Sequence, residues 1–353
     1  MKITFRWYGE SDRITLNQIR QIPCVSGVVS AIYDTPVGSV WSEESIARLV
    51  GQCNAAGLEC EVIESVPVHE DIKLGLPSAK RYIDAYCENI RRLAKHGVKC
   101  ICYNFMPVFD WLRSDLETPL PDGSNALTYR HRTVLEMDPA TSELSLPGWD
   151  ESYTKEGLKA LLKQYESVDE EKLWGNLQHF LEAVIPVAEA EGVKMGIHPD
   201  DPPYPILGLP RIAGNMEDFK YILNAVDMPF NGVCFCTGSL SAGKDNDIPA
   251  LLEEVKERVY FAHLRAVKKD DMGNFYEADH LDGDVDMYRV VEILSKENQN
   301  RAESIVFRPD HGHQLLDDLH KVSNPGYSAI GRLKGLAEIR GLELGVIRNA
   351  NPS

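Results

Sequence analysis

The chain has 353 residues, enough to bury a large core as one α/β domain or two smaller ones. Its 43% hydrophobic and 26% charged residues are ordinary for a globular protein, and no apolar run reaches the roughly 18 residues of a transmembrane helix. Lys plus Arg number 37 against 54 Asp plus Glu, a net charge of -17 with no basic cluster, which argues against a nucleic-acid partner.

The start, Met1 to Tyr8, goes directly into strand-like alternation without a signal-peptide apolar core, so a cytoplasmic location is expected. The eight cysteines are scattered, not spaced as a disulfide framework. In chain order, a first strand is expected over 3–7, a short helix over 11–20 and a second strand over 27–32. Ser42 is a good cap for a helix with Glu43 and Glu44 in its first turn, running to Ala56 and stopped by Gly57. A third strand spans 60–64. Pro77 then opens a long helix whose apolar Ile83, Tyr86, Ile90 and Leu93 recur at three and four, ending at His96 and Gly97. The fourth strand is expected over 98–105.

The stretch 106–169 breaks this beat with Pro107, Pro119, Pro121, Pro139 and Pro147. It is too long for an ordinary connection, and Trp111, Tyr129, Leu144, Leu146, Trp149 and Tyr153 argue against full disorder. An inserted excursion with a little local structure is expected over one end of the domain, where a lid or a subunit contact in a homodimer stands level with mere decoration. Trp111 and Trp149 either close over a substrate or form a satellite core, the latter being favoured.

Regularity resumes with a helix over 170–191, where Leu173, Leu177, Leu181 and Val184 mark a buried stripe and Pro186 a bend. Strands over 193–198, 232–236 and 259–263 alternate with helices over 215–226, 248–256 and 285–294. Cys234 and Cys236 are expected to face opposite ways. The eighth strand lies in 303–307 and stops at Pro309. A last helix over 327–340 is stopped by Gly341. Eight strand–helix units with short, continuously apolar strands predict a single (β/α)8 TIM barrel over 1–353 with the excursion after strand four. An open doubly wound sheet is the alternative, but Gly9-Glu10-Ser11-Asp12 lacks the dinucleotide fingerprint and no Walker loop appears.

A barrel of this kind assembles its active site at the carboxyl ends of its strands. There stand His198, Cys236, His263 and Asp310, on four neighbouring strands. Two imidazoles, a thiolate and a carboxylate can fix a divalent ion and leave positions open for substrate. Singly, they read as a core histidine, a small buried thiol, a histidine bonded to a carbonyl and a helix cap. Together, a metal site explains their common position. The thiolate suits zinc or ferrous iron, whereas a substrate rich in oxygen ligands suits manganese.

The segment Arg308-Pro309-Asp310-His311-Gly312-His313, followed by Asn324-Pro325-Gly326-Tyr327 and Gly331-Arg332-Leu333-Lys334-Gly335-Leu336, resembles the mannonate dehydratase family. The opening Met1 to Tyr8, the stretch Ile197 to Pro203 and His263-Leu264-Arg265 are similar to the same family, so nearly the whole chain is covered. The resemblance implies a hydro-lyase of hexuronate breakdown that converts D-mannonate to 2-dehydro-3-deoxy-D-gluconate with manganese or ferrous iron. It also implies that His198, Cys236, His263 and Asp310 are the metal ligands.

Dehydration needs a base for the C2 proton and an acid for the departing C3 hydroxyl, and His311 and Tyr327 are the expected pair, their roles unassigned. An anionic sugar acid needs local positive charge on this acidic chain, and Arg308 and Arg265 are candidates to supply it. Asn104 and Tyr8 are candidates for the polyol hydroxyls. Rival readings are a metal-dependent sugar isomerase or epimerase, a metal-assisted phosphodiesterase, which the charge opposes, and a sugar-acid sensor with a structural metal.

Overall fold

A computed structural model describes residues 1–137 and 154–350. Among them, the strands in chain order are β1 (Lys2–Arg6), β2 (Val25–Ser30), β3 (Glu59–Glu64), β4 (Cys100–Tyr103), β5 (Asp115–Pro119), β6 (Asn125–Tyr129), β7 (Lys194–Ile197), β8 (Asn231–Cys236), β9 (Val259–Leu264), β10 (Ala266–Lys269), β11 (Phe275–Ala278) and β12 (Val306–Pro309). Eight of these close into a parallel barrel in the order β1-β12-β9-β8-β7-β4-β3-β2, and β1 pairs β2 to complete the ring. The expected TIM barrel is therefore present. Register levels the carboxyl ends on one side: Cys236 lies opposite His263, and His263 opposite Arg308.

The helices begin where the sequence supplies caps. Ser42, Asp169 and Asn215 each accept a hydrogen bond from a first-turn backbone N–H, at the starts of Glu43–Ala55, Glu170–Glu191 and Met216–Ala225. Gly192 ends the second of these in the left-handed conformation, at φ 69°. Its buried stripe of Leu173, Leu177, Phe180, Leu181 and Val184 packs towards Ala79–Lys95, where Tyr86 meets Phe180 edge-on at 5.0 Å. Among the described residues no helix is long and apolar enough to cross a membrane.

Three expectations need correction. Cys234 and Cys236 do not face opposite ways, because side chains two apart on a strand share a face. Cys234 packs inside the barrel with Cys102 and Phe261, and Cys236 is the next interior position above it. Gly341 does not stop the last helix, which runs Ala329–Ala350. Buried Val346 and the ion pair between the Met1 amine and Glu343, at 2.7 Å, fasten its final turns to the body. The excursion holds more than a little local structure: β5 and β6 join β10 and β11, which follow barrel strand β9, in a four-stranded antiparallel sheet ordered β10-β11-β6-β5. Leu144, Leu146, Trp149, Tyr153, Pro139 and Pro147 lie outside the described residues.

Candidate active site

Three strand ends converge where the sequence placed them. His198 follows β7, Cys236 ends β8 and His263 lies near the end of β9, and their donor atoms all fall within 4.8 Å of one another. His198 Nδ1 is engaged by the carbonyl of Pro199 at 2.7 Å, which turns Nε2 towards His263 Nδ1, 3.1 Å away. Ser239 Oγ donates to Cys236 Sγ at 3.1 Å. His263 is oriented from its other side by Glu64 Oε2, 3.4 Å from Nε2.

Asp310 joins this group less directly. Its Oδ2 lies 3.8 Å from Cys236 Sγ and 3.9 Å from His263 Nδ1. The same oxygen forms an ion pair with Arg265 Nε at 2.8 Å, and Oδ1 is held by Arg308.

The electrostatics favour anionic donors for a cation. Burial alone would raise the Cys236 thiol, but the Arg265 charge and hydrogen bonds from His198 and His263 outweigh it and hold the group well below its usual range. Burial would lower His198, yet its hydrogen bond and charge contact with Cys236 push it up to about 10. Asp310 is likewise held well below the usual carboxylate range, because Arg308, His311, His263 and Arg265 overcome its burial. Two imidazoles, a thiolate and a carboxylate, all buried or half-buried, suit a divalent metal in their chemistry.

Beside this cluster opens a cavity of about 190 Å³, lined among others by Tyr8, Asn104, Trp111, Arg308, His311 and Tyr327. His311 Nδ1 lies 3.0 Å from Glu277 Oε1, and its Nε2 lies 4.0 Å from Asp310 Oδ1. Tyr327 donates to Asp310 Oδ1 at 3.2 Å, with Arg308 Nη2 at 3.5 Å from its hydroxyl. Burial, countered by Arg308 and reinforced by Asp310, keeps the Tyr327 phenol well above its ordinary value. Tyr8 packs edge-on against Tyr327 at 5.0 Å, and burial pushes its own phenol up to about 12. Trp111 sits against His311 with ring centroids 5.5 Å apart, so this tryptophan of the excursion belongs to the site.

The two expected arginines are placed differently. Arg308 lines the cavity, with Nε and Nη2 paired to Glu64 at 3.1 and 2.8 Å. Arg265 does not line it: Asp201, Glu277 and Asp310 hold it from three sides. His313 Nε2 bonds the backbone carbonyl of Glu277 at 2.7 Å.

Four site residues escaped the sequence reading. Arg6 and Glu64 end β1 and β3 and line the cavity, so the strand-end rule applied to the first three strands would have found them. Arg6 Nη1 pairs with Glu64 at 3.1 Å, while its Nε has no hydrogen-bond partner among the described residues. Asp201 accepts from Arg113 and Arg265. Glu277 gave no local signal, because its neighbourhood comes from pairing between segments far apart in sequence.

The family model described as D-mannonate dehydratase (UxuA) matches residues 1–352. A mannonate dehydratase of Streptococcus agalactiae serotype Ia is 46% identical over 99% of this chain and 100% of its own length, and one of Streptococcus uberis agrees equally, at 46%, 99% and 100%. The crystal structure of mannonate dehydratase from Streptococcus suis serotype 2 superposes with a TM-score of 0.91 at 41% identity, covering 99% of this chain and 96% of that one. With the barrel, the strand-end cluster and these matches in hand, the chain belongs to the D-mannonate dehydratase family.

Proposed function

We propose that the chain removes water from D-mannonate to give 2-dehydro-3-deoxy-D-gluconate, in the cavity beside the strand-end cluster. The observation that carries this reading is the meeting of His311 and Tyr327 at one cavity directly beside His198, Cys236 and His263. Those three, with Asp310 as a fourth ligand, would hold manganese or ferrous iron, which when bound would supply Lewis-acid stabilisation of the charge that builds next to the substrate carboxylate.

His311 is the base. Its Nδ1 faces Glu277, which leaves Nε2 free to take the C2 proton. Tyr327 is the acid: held protonated by burial, it passes its proton to the C3 hydroxyl as the C3–O bond breaks and water leaves. The enol so formed tautomerises to the 2-keto acid. The Arg308 guanidinium beside the Tyr327 hydroxyl offsets the charge left on the phenolate, and the proton on His311 returns to it through solvent. Arg308, Asn104 and Tyr8 offer hydrogen bonds to substrate oxygens, and Trp111 shields the reacting carbons from water. Arg265 contributes through Asp310, which it holds in place.

The test is a dehydration assay on D-mannonate with metal stripped and then manganese, iron(II) or zinc restored singly, reading the 2-keto-3-deoxy product. Product that returns with a restored metal supports the reading and names the working ion. Tight binding of an ion with D-mannonate untouched by every metal would overturn it.

A further inference from the structure

The acid/base histidine is carried by the barrel, but the partner of its inner nitrogen is not. Glu277 stands on β11, in the four-stranded sheet built outside the barrel from two distant segments. Its Oε1 lies 3.0 Å from His311 Nδ1, and both side chains are buried. The carboxylate is itself fixed on every side. Arg265 Nη1 donates to both of its oxygens at 2.7 and 2.8 Å, and Arg113 Nη2 donates to Oε1 at 2.8 Å. Its main chain is pinned by His313 Nε2 at 2.7 Å from the Glu277 carbonyl. Across the ring, Trp111 and Tyr327 pack against the His311 imidazole at 5.5 and 5.2 Å, which limits its rotation.

From this geometry we infer that Glu277 is a positioning residue for the dehydration, fixing the tautomer of His311 that carries its proton on Nδ1 and its lone pair on Nε2. A nitrogen facing an anchored carboxylate must carry the hydrogen, so the other nitrogen is the one that accepts. Glu277 does not line the cavity and acts only through His311. The inference rests on the proposed role of His311 and adds a source for it: the inserted sheet, not the barrel, sets the competence of the base.

The test is a double-mutant cycle on the metal-loaded full chain, with Glu277→Gln, His311→Ala and the two combined, assayed on D-mannonate. Gln keeps the size of the side chain but is neutral, so it no longer fixes the hydrogen on Nδ1 as an anchored carboxylate does, nor stabilises the imidazolium formed when Nε2 takes the proton. Glu277→Gln should lower kcat by about 10²–10⁴-fold with KM and metal content unchanged. The double variant should be no slower than His311→Ala alone, since residues acting as one unit are not additive. A kcat within twofold of the parent chain would overturn the inference, as would a double variant slower by the product of the two single losses.

If Glu277→Gln does not fold, the tautomer is read by ¹⁵N NMR in the zinc-loaded parent chain, with the His311 signals identified by their loss in His311→Ala. A protonated Nδ1 supports the inference, and a protonated Nε2 with bare Nδ1 ends it. The NMR reading also stands if D-mannonate proves not to be the substrate, so the two proposals fail separately.

Discussion

The ring of Tyr327 stands edge-on to that of His311, with centroids 5.2 Å apart and planes at 86°. Removing only the hydroxyl keeps this packing, so Tyr327→Phe isolates the proton from the ring. We expect kcat to fall by about 10²–10⁴-fold with the melting temperature little changed. Steady-state kinetics beside a thermal melt check this, and near-parental kcat would remove Tyr327 from the proton chemistry.

Cys236→Ser exchanges the buried thiolate donor for a neutral hydroxyl. Loss of a residue that merely orients a ligand weakens metal affinity by roughly 10–100-fold, and loss of a ligand should cost at least as much. Elemental analysis after dialysis against a weak chelator should find the variant depleted where the parent chain retains its ion. Equal retention would mean that the sulfur is not a ligand.

Asp218 lies in the first turn of the helix Met216–Ala225 and accepts from Gly214 N and Asn215 Nδ2 at 2.8 and 2.9 Å. Burial pushes its carboxyl up to about 6. The raised value means the folded chain holds this proton more tightly than the unfolded one, so stability contributed by the neutral form is present below about 4 and lost as pH rises through about 6. Asp218→Asn keeps an acceptor without the charge. It should raise the melting temperature at pH 8 and give no gain at pH 4. A gain that does not depend on pH would contradict the assignment.

Gly341 lies inside the helix Ala329–Ala350 with open space around a would-be Cβ. Gly341→Ala should therefore stabilise the chain by about 0.5–1 kcal/mol, measured by chemical denaturation, with activity unaffected. Destabilisation would show that the helix needs its glycine there.

The barrel was legible because each unit carries its own punctuation: Ser42, Asp169 and Asn215 start helices, Gly192 ends one and Pro309 ends the last barrel strand. His198, Cys236, His263 and Asp310 were legible because topology alone brings neighbouring strand ends together. The second sheet was not. Its strands are four or five residues long, and β5 pairs β6 and β10 pairs β11 locally. The two pairs meet through β6 and β11, across more than a hundred positions, as Phe275 does with Tyr129, so no local pattern specifies that join. Glu277 inherits that blindness. Gly341 misled for the opposite reason: a local stop signal was overridden by the tertiary anchors Val346 and Met1–Glu343.

In most barrels of this type the loops after different strands vary independently, which lets one scaffold take many substrates. Here the segment after β4 and the segment after β9 are hydrogen-bonded into a single sheet through β6 and β11. Neither can be exchanged alone without stripping a strand edge from the other. Grafting a relative's loop at either position should yield protein that aggregates or loses the contact between Glu277 and His311, whereas moving both segments as a pair should succeed. Diversification of this site is thereby confined to changes that travel together.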